Sequence, residues 1–191
     1  MSVFCLQPVG LLGRLVFAAA SLCAAGADDY RITDVHAACF RPHGPSCAQM
    51  IAGAFERAQA SILAEVYQFT EPTIGDALAR AQERRIEVRL IVDRTTTSRA
   101  MAEQASRLHA VKVDCTARIH HDKVAIVDGR YVITGSYNWS VNAERHNDEN
   151  VVLIDDTAVA AAYIADFEAQ WARSLDGTRC PPRAGRSEPD R

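Results

Sequence analysis

SILAEVYQFTEPTIGDALARAQERRIEVRLIVDRTTTSRAMAEQASRLHAVKVD, residues 61–114, is the stretch that decides the fold class of this chain. Residues 61–69 make an apolar, β-prone run, and Thr70 then reads as a helix cap with Pro72 in the first turn. A helix continuing to Arg85 places Ile74, Ala77, Leu78 and Ala81 on one face. Residues 86–92 form a second apolar run, and a helix from Ser98 to His109 carries Met101, Ala105 and Leu108. Residues 110–114 form a third run. Strand, helix, strand, helix, strand in this order implies an α/β domain with a mixed, mainly parallel sheet flanked by helices.

Working outward, residues 30–38 predict another strand and residues 48–59 a helix with Ile51 and Phe55 turned inward. Residues 149–154 predict a strand. Residues 156–175 predict a long helix whose Val159, Tyr163, Phe167 and Trp171 share a face, a pattern that belongs to a core. From Asp176 onward the chain is rich in Pro, Arg and Gly and reads as a disordered tail, residues 176–191. No internal repeat is visible.

The 191 residues suffice for one domain, and 48% hydrophobic with 24% charged residues is an ordinary globular mixture. Residues 1–27 differ from the rest. Their only charged residue is Arg14, followed by an apolar run from Leu15 to Ala25 and the small residues Ala25, Gly26 and Ala27. That is the pattern of a secretory signal peptide cleaved after Ala27, which predicts a periplasmic or secreted protein with no stable membrane association. The competing reading keeps residues 9–27 as an uncleaved anchor. Cleavage leaves 20 basic against 24 acidic residues, a formal charge of −4. Attraction to a polyanion must therefore be local, which counts against a tight DNA-binding module and not against an enzyme.

Residues 28–191 keep four cysteines, Cys39, Cys47, Cys115 and Cys180, which can pair in three ways in an oxidising compartment. Cys39 and Cys47 flank a turn-rich segment that closes easily into a loop, so that bridge is favoured.

The informative segment is IHHDKVAIVDGRYVITGSYNWSVNAERHNDEN, residues 119–150. Residues 124–127 and 131–134 are β-prone runs joined by Asp128-Gly129, a hairpin signal. With a two-residue loop Val127 faces Arg130, Lys123 faces Thr134, and His121 faces Ser136. Alternation along the strands then gathers His121, Lys123, Ser136 and Asn138 on one face. One nucleophile, one point charge and two neutral donors suit a phosphodiester. Lys123 is one of two lysines beside 19 arginines, which hints that a compact ammonium matters there.

The same residues resemble the phospholipase D superfamily. Its signature, H-x-K-x4-D followed by x6-G-S-x-N, is matched by His121, Lys123, Asp128, Gly135, Ser136 and Asn138. Most members carry the signature twice; this chain carries it once, and so resembles the bacterial Nuc-type endonucleases over residues 30–175. The Cys39/Cys47 loop, the segment Tyr67-Gln68-Phe69-Thr70 and the pair Glu149-Asn150 fit that group too.

The resemblance implies a phospholipase D-type α/β sandwich over residues 28–175 that works as a homodimer. It implies a metal-independent phosphodiesterase, requiring no cofactor, with nucleic acid (DNA, or RNA) as substrate. His121 forms a covalent phosphohistidine, and His121 of a second subunit supplies the general acid and base. Lys123 and Asn138 stabilise the pentacovalent state, Ser136 positions the phosphate, and Glu149 accepts a hydrogen bond from the distal nitrogen of His121. Asp128 and Gly135 are structural. The rival substrate class is phospholipid, with a cardiolipin-type hydrolase held at a membrane by residues 9–27. A metal site from His120, His121, Asp122, His146 and Asp148 is possible on composition, but neighbours on a strand point to opposite faces. Trp139 reads either as a base-stacking platform or as core.

Overall fold

The two crossover helices expected within residues 61–114 are present. A computed structural model describes residues 35–95 and 98–181; the expected signal peptide and the end of the expected tail lie outside the described residues. In chain order the elements are β1 (Val35–Arg41), α1 (Cys47–Arg57), β2 (Ser61–Val66), α2 (Pro72–Glu83), β3 (Glu87–Asp93), α3 (Arg99–Ala105), β4 (Ala110–Asp114), β5 (Lys123–Val127), β6 (Tyr131–Gly135), α4 (Val141–Arg145), β7 (Glu149–Asp155), α5 (Thr157–Arg173) and β8 (Leu175–Asp176).

One eight-stranded sheet runs in the order β1-β7-β6-β5-β2-β3-β4-β8. The mixed sheet flanked by helices agrees with the expected class. Parallel pairing, however, is confined to β2-β3-β4, where α2 and α3 provide the crossovers. The other strand pairs are antiparallel. The mainly parallel character read from residues 61–114 therefore holds for that unit and not for the whole sheet.

Alternation divides the core between two faces. Ile62, Ala64 and Val66 of β2 pack with Ile51 and Phe55 of α1 and with Ile74, Ala77, Leu78 and Ala81 of α2. Leu63 points the other way and packs with Ile91, Val124, Ile126, Val132 and, from α5, Ala160 and Phe167. Of the expected α5 stripe, Phe167 is fully buried; Val159, Tyr163 and Trp171 are partly buried around it. Trp139 is core, at 5.7 Å from Phe55 and 6.0 Å from Phe69 between ring centroids.

Three local readings change. Glu71, not Thr70, caps α2: its carboxylate accepts from Thr73 N–H, with Pro72 in the first turn. Thr70 is drawn elsewhere, its hydroxyl accepting from Val141 N–H at 3.4 Å. β2 ends at Val66, short of the expected Phe69, although Tyr67 N–H still donates to Asp122 C=O in the register of the β2–β5 pair. And ordered chain runs into the expected tail, where β8 pairs with β4 and Cys180 is bonded to Cys115. Cys39 is bonded to Cys47, joining β1 to the start of α1.

Candidate functional site

The β5–β6 hairpin carries most of the signature residues, and its register differs from the expected one. The ladder pairs Val127 with Tyr131 and Val124 with Thr134, one residue away from the expected pairing. The cause lies at the turn. Asp128 and Gly129 both have positive φ, 54° and 62°, and the Asp128 carboxylate accepts from the N–H groups of Gln59, Ala60 and Ser61. Arg130 thus falls in the turn instead of opening β6. Burial works against a charged Asp128, but the three backbone donors outweigh it and hold its carboxyl below the usual range.

A second irregularity lies at the other end of β6. At the end of β6 the N–H groups of Ser136 and Tyr137 both donate to Asn150 C=O, so two residues face one, as in a β-bulge. Gly135 permits this approach: a Cβ there would stand 2.2 Å from that carbonyl oxygen. His121, Lys123, Thr134, Ser136 and Tyr163 nonetheless line one open cleft of about 300 Å³ at the end of the hairpin.

Within the cleft, Lys123 is 8% exposed and opens β5 opposite Val66. Its Nζ donates to His121 C=O at 2.6 Å and lies 3.2 Å from Nδ1 of the exposed His121 ring. Burial lowers the Lys123 pKa, against the charges of Asp122 and Glu149. The Tyr67 ring packs 4.6 Å from the imidazole and 5.5 Å from Lys123 Nζ, holding both from the β2 side.

Glu149 opens β7 and accepts from Ser136 Oγ at 2.5 Å and from Asn147 Nδ2 at 3.0 Å. No hydrogen bond joins it to His121 among the described residues, so its carboxylate is spent on Ser136 where the resemblance implied the imidazole. Asn138 follows the bulge, and its Oδ1 is buried without a hydrogen-bond partner among the described residues. His43, His109 and His146 are exposed.

Sequence reasoning gave two groups no role. Tyr67 entered only as part of a segment that fits the Nuc-type group; it sits just past the carboxyl end of a parallel strand, where α/β sheets place their sites. The other is a buried cluster beside His121. His120 is 3% exposed, with Nε2 3.2 Å from Glu65 Oε2 and Nδ1 3.5 Å from Asp114 Oδ2. Glu65, His120 and Asp122 offer three atoms within 4.8 Å of one another. Since Asp122 is half exposed and the two buried groups already form an acid–imidazole pair, we assign this as an ion-pair cluster and not as a metal site.

Residues 51–171 match the family described as cardiolipin synthase, PLD-like domain. The phospholipase D of Rickettsia prowazekii is 35% identical over 132 residues, covering 68% of this chain and 64% of that protein. The mitochondrial cardiolipin hydrolase of Xenopus laevis is 35% identical over 137 residues, covering 70% and 65%. The chain thus spans about two thirds of the length of these curated relatives. Among solved structures, the phospholipase D family member Nuc from Salmonella typhimurium is similar with a TM-score of 0.70 and 32% identity, covering 75% of this chain and 97% of Nuc.

Proposed function

The chain belongs to the phospholipase D superfamily, and on that premise we propose that it hydrolyses phosphodiester bonds in nucleic acid, without a metal, as an exported homodimer. The observation that carries this reading is the pairing of the exposed His121 with the buried Lys123 in one open cleft. An imidazole free to approach phosphorus from solvent, backed by a fixed cation, is what an attack on a dianionic transition state needs. In the proposed cycle an unprotonated ring nitrogen of His121 bonds to phosphorus and the leaving oxygen takes a proton from His121 of the second subunit. Water then attacks the phosphohistidine, and that second histidine removes its proton. Lys123 neutralises the nonbridging oxygens, and the side-chain amide of Asn138 donates to them. Ser136, oriented by Glu149, positions the phosphate.

Nucleic acid is favoured over lipid by the single signature copy and by the match to Nuc over 97% of that chain at a TM-score of 0.70. The two disulfides support export, and no described helix is long and apolar enough to cross a membrane. A second reading, hydrolysis of a phospholipid such as cardiolipin, is favoured by the names of those relatives and by the apolar residues 9–27.

The test incubates the full chain, wild type and His121→Ala, with plasmid DNA in excess EDTA and, in parallel, with a fluorescent phospholipid. DNA cleavage that survives EDTA and disappears in the variant is the expected result. Intact DNA with lipid turnover transfers the site to the second reading. Cleavage abolished by EDTA sinks the histidine mechanism.

A further inference from the structure

His120 and His121 are neighbours with opposite surroundings. His121 stands in the cleft, whereas His120 points behind it into acid contributed by every strand that ends there. Glu65 of β2 and Asp114 of β4 flank the ring at 3.2 and 3.5 Å, and Asp122 lies 3.9 Å away on the same loop. Asp93 of β3 accepts the His120 backbone N–H at 2.6 Å. From α5, Arg173 approaches Asp114 at 4.0 Å, and the charge of Asp166 reaches Glu65. Glu65, Asp93 and Asp114 are each at most 2% exposed.

A neutral ring in this place would leave the buried Glu65 and Asp114 carboxylates on either side of an uncharged group, with the half-exposed Arg173 4.0 Å from Asp114, a costly arrangement. Asp114 stays charged: burial opposes this, but bonds from Thr116 and Ala117 outweigh burial and lower its pKa. Glu65 is pushed up by burial, and His120 pulls it back. On His120 itself burial disfavours the proton, but Glu65, Asp122 and Asp114 prevail and raise its pKa.

We propose that His120 is a positioning residue: as an imidazolium clasped between Glu65 and Asp114, it fixes residues 120–123 and so sets the distance between His121 and Lys123. The mechanical link is short. The His120 N–H is tied to Asp93, Asp122 C=O takes the Tyr67 N–H, and His121 C=O takes the Lys123 ammonium. Loss of the His120 proton leaves the ring one N–H for two carboxylates, so one side of the clasp opens and loosens a segment that carries both reacting groups.

This inference rests on the phosphodiesterase reading, and the sign of its pH dependence follows from the raised pKa. The clasp is fully formed below the unfolded histidine value, about 6.5, and is lost as pH rises through the higher folded value. Turnover should therefore fall on the alkaline side. Lys123 also loses charge there, so the position of that limb alone does not identify His120.

The experiment measures kcat and KM against pH for the full-length wild type, His120→Gln, Glu65→Gln and Asp114→Asn, with the histidine ring nitrogens followed by NMR in the same proteins. Expected at pH 6 is a loss of about 100-fold in kcat for His120→Gln, the scale of a small misplacement of reacting groups, with KM within about two-fold. Glu65→Gln and Asp114→Asn, which remove a partner and keep the shape, should move the alkaline limb and the His120 ring titration together to lower pH. A limb that stays put while the ring titration moves assigns it to Lys123 and overturns the proposal. So does a His120→Gln enzyme with wild-type kcat, or one whose loss lies wholly in KM. If His120→Gln does not fold, the two isosteric carboxylate variants decide the matter. Wild type inactive on both DNA and lipid would instead defeat the functional reading, with the NMR titration still reporting on the clasp.

Discussion

The two ends of the β5–β6 hairpin are built on opposite rules. At the turn every polar group is matched: Asp128 takes three backbone N–H groups, and the Arg130 guanidinium pairs with Asp155 at 2.5 and 2.7 Å. At the other end the polar groups are held but not saturated. Asn138 Oδ1 is buried without a directed hydrogen bond among the described residues, and Lys123 is buried with its charge opposed by burial. Satisfied groups stabilise, while groups left wanting a partner are ready for a substrate. The difference separates the signature's aspartate from its histidine and lysine, although a motif search treats all three alike.

Four substitutions test that division, in descending size of effect. His121→Ala removes the proposed nucleophile and should lower kcat by about four orders of magnitude or more, measured as DNA nicking in EDTA, with thermal stability unchanged. If substantial turnover remains, the nucleophile lies elsewhere. Lys123→Met removes the buried cation and should cost about 10² to 10³ in kcat. Because it relieves a burial penalty, the same change should leave stability equal or higher; a large drop in melting temperature would mean that this end is as structural as the turn.

Asp128→Ala should do the reverse, costing about 2 kcal/mol in a denaturant titration, the scale of hydrogen bonds to a charged group, with kcat unaltered. The lowered Asp128 pKa fixes the pH sign. Its contribution is present above the unfolded carboxyl value and is lost as pH falls through the folded value, so wild type and variant should converge in strong acid. A variant crippled in kcat at full stability would erase the distinction between the two ends. Smallest is Ser136→Ala, expected to lower kcat about ten-fold or less, since Ser136 adds one neutral hydrogen bond and already shares it with Glu149. A loss equal to that of Lys123→Met would promote Ser136 to an equal partner.

Much of this was legible in the chain because it depends on short-range periodicity. The faces of α1 and α2, the limits of β4 at Ala110–Asp114 and the Cys39–Cys47 bridge follow from apolar spacing, turn residues and proximity. Other features escaped for a common reason: they are decided by atoms distant in sequence. Thr70 looks like a cap until Val141 N–H claims its hydroxyl, and the hairpin looks like a two-residue turn until Asp128 finds residues 59–61. Ser136 shares a cleft with His121 and Lys123 although the slip at the turn pairs Thr134 with Val124 and not with Lys123.

The sequence by itself determined the family, the candidate nucleophile and its lysine, because a signature of residue types at set spacing is a one-dimensional property. Only the tertiary structure decided that the sheet is largely antiparallel, that Glu149 serves Ser136, and that His120 lies among Glu65, Asp93 and Asp114. Those outcomes turn on which distant carboxylates and carbonyls meet once the strands pair. Burial then sets the energy of each meeting, and neither strand order nor burial is written in local spacing.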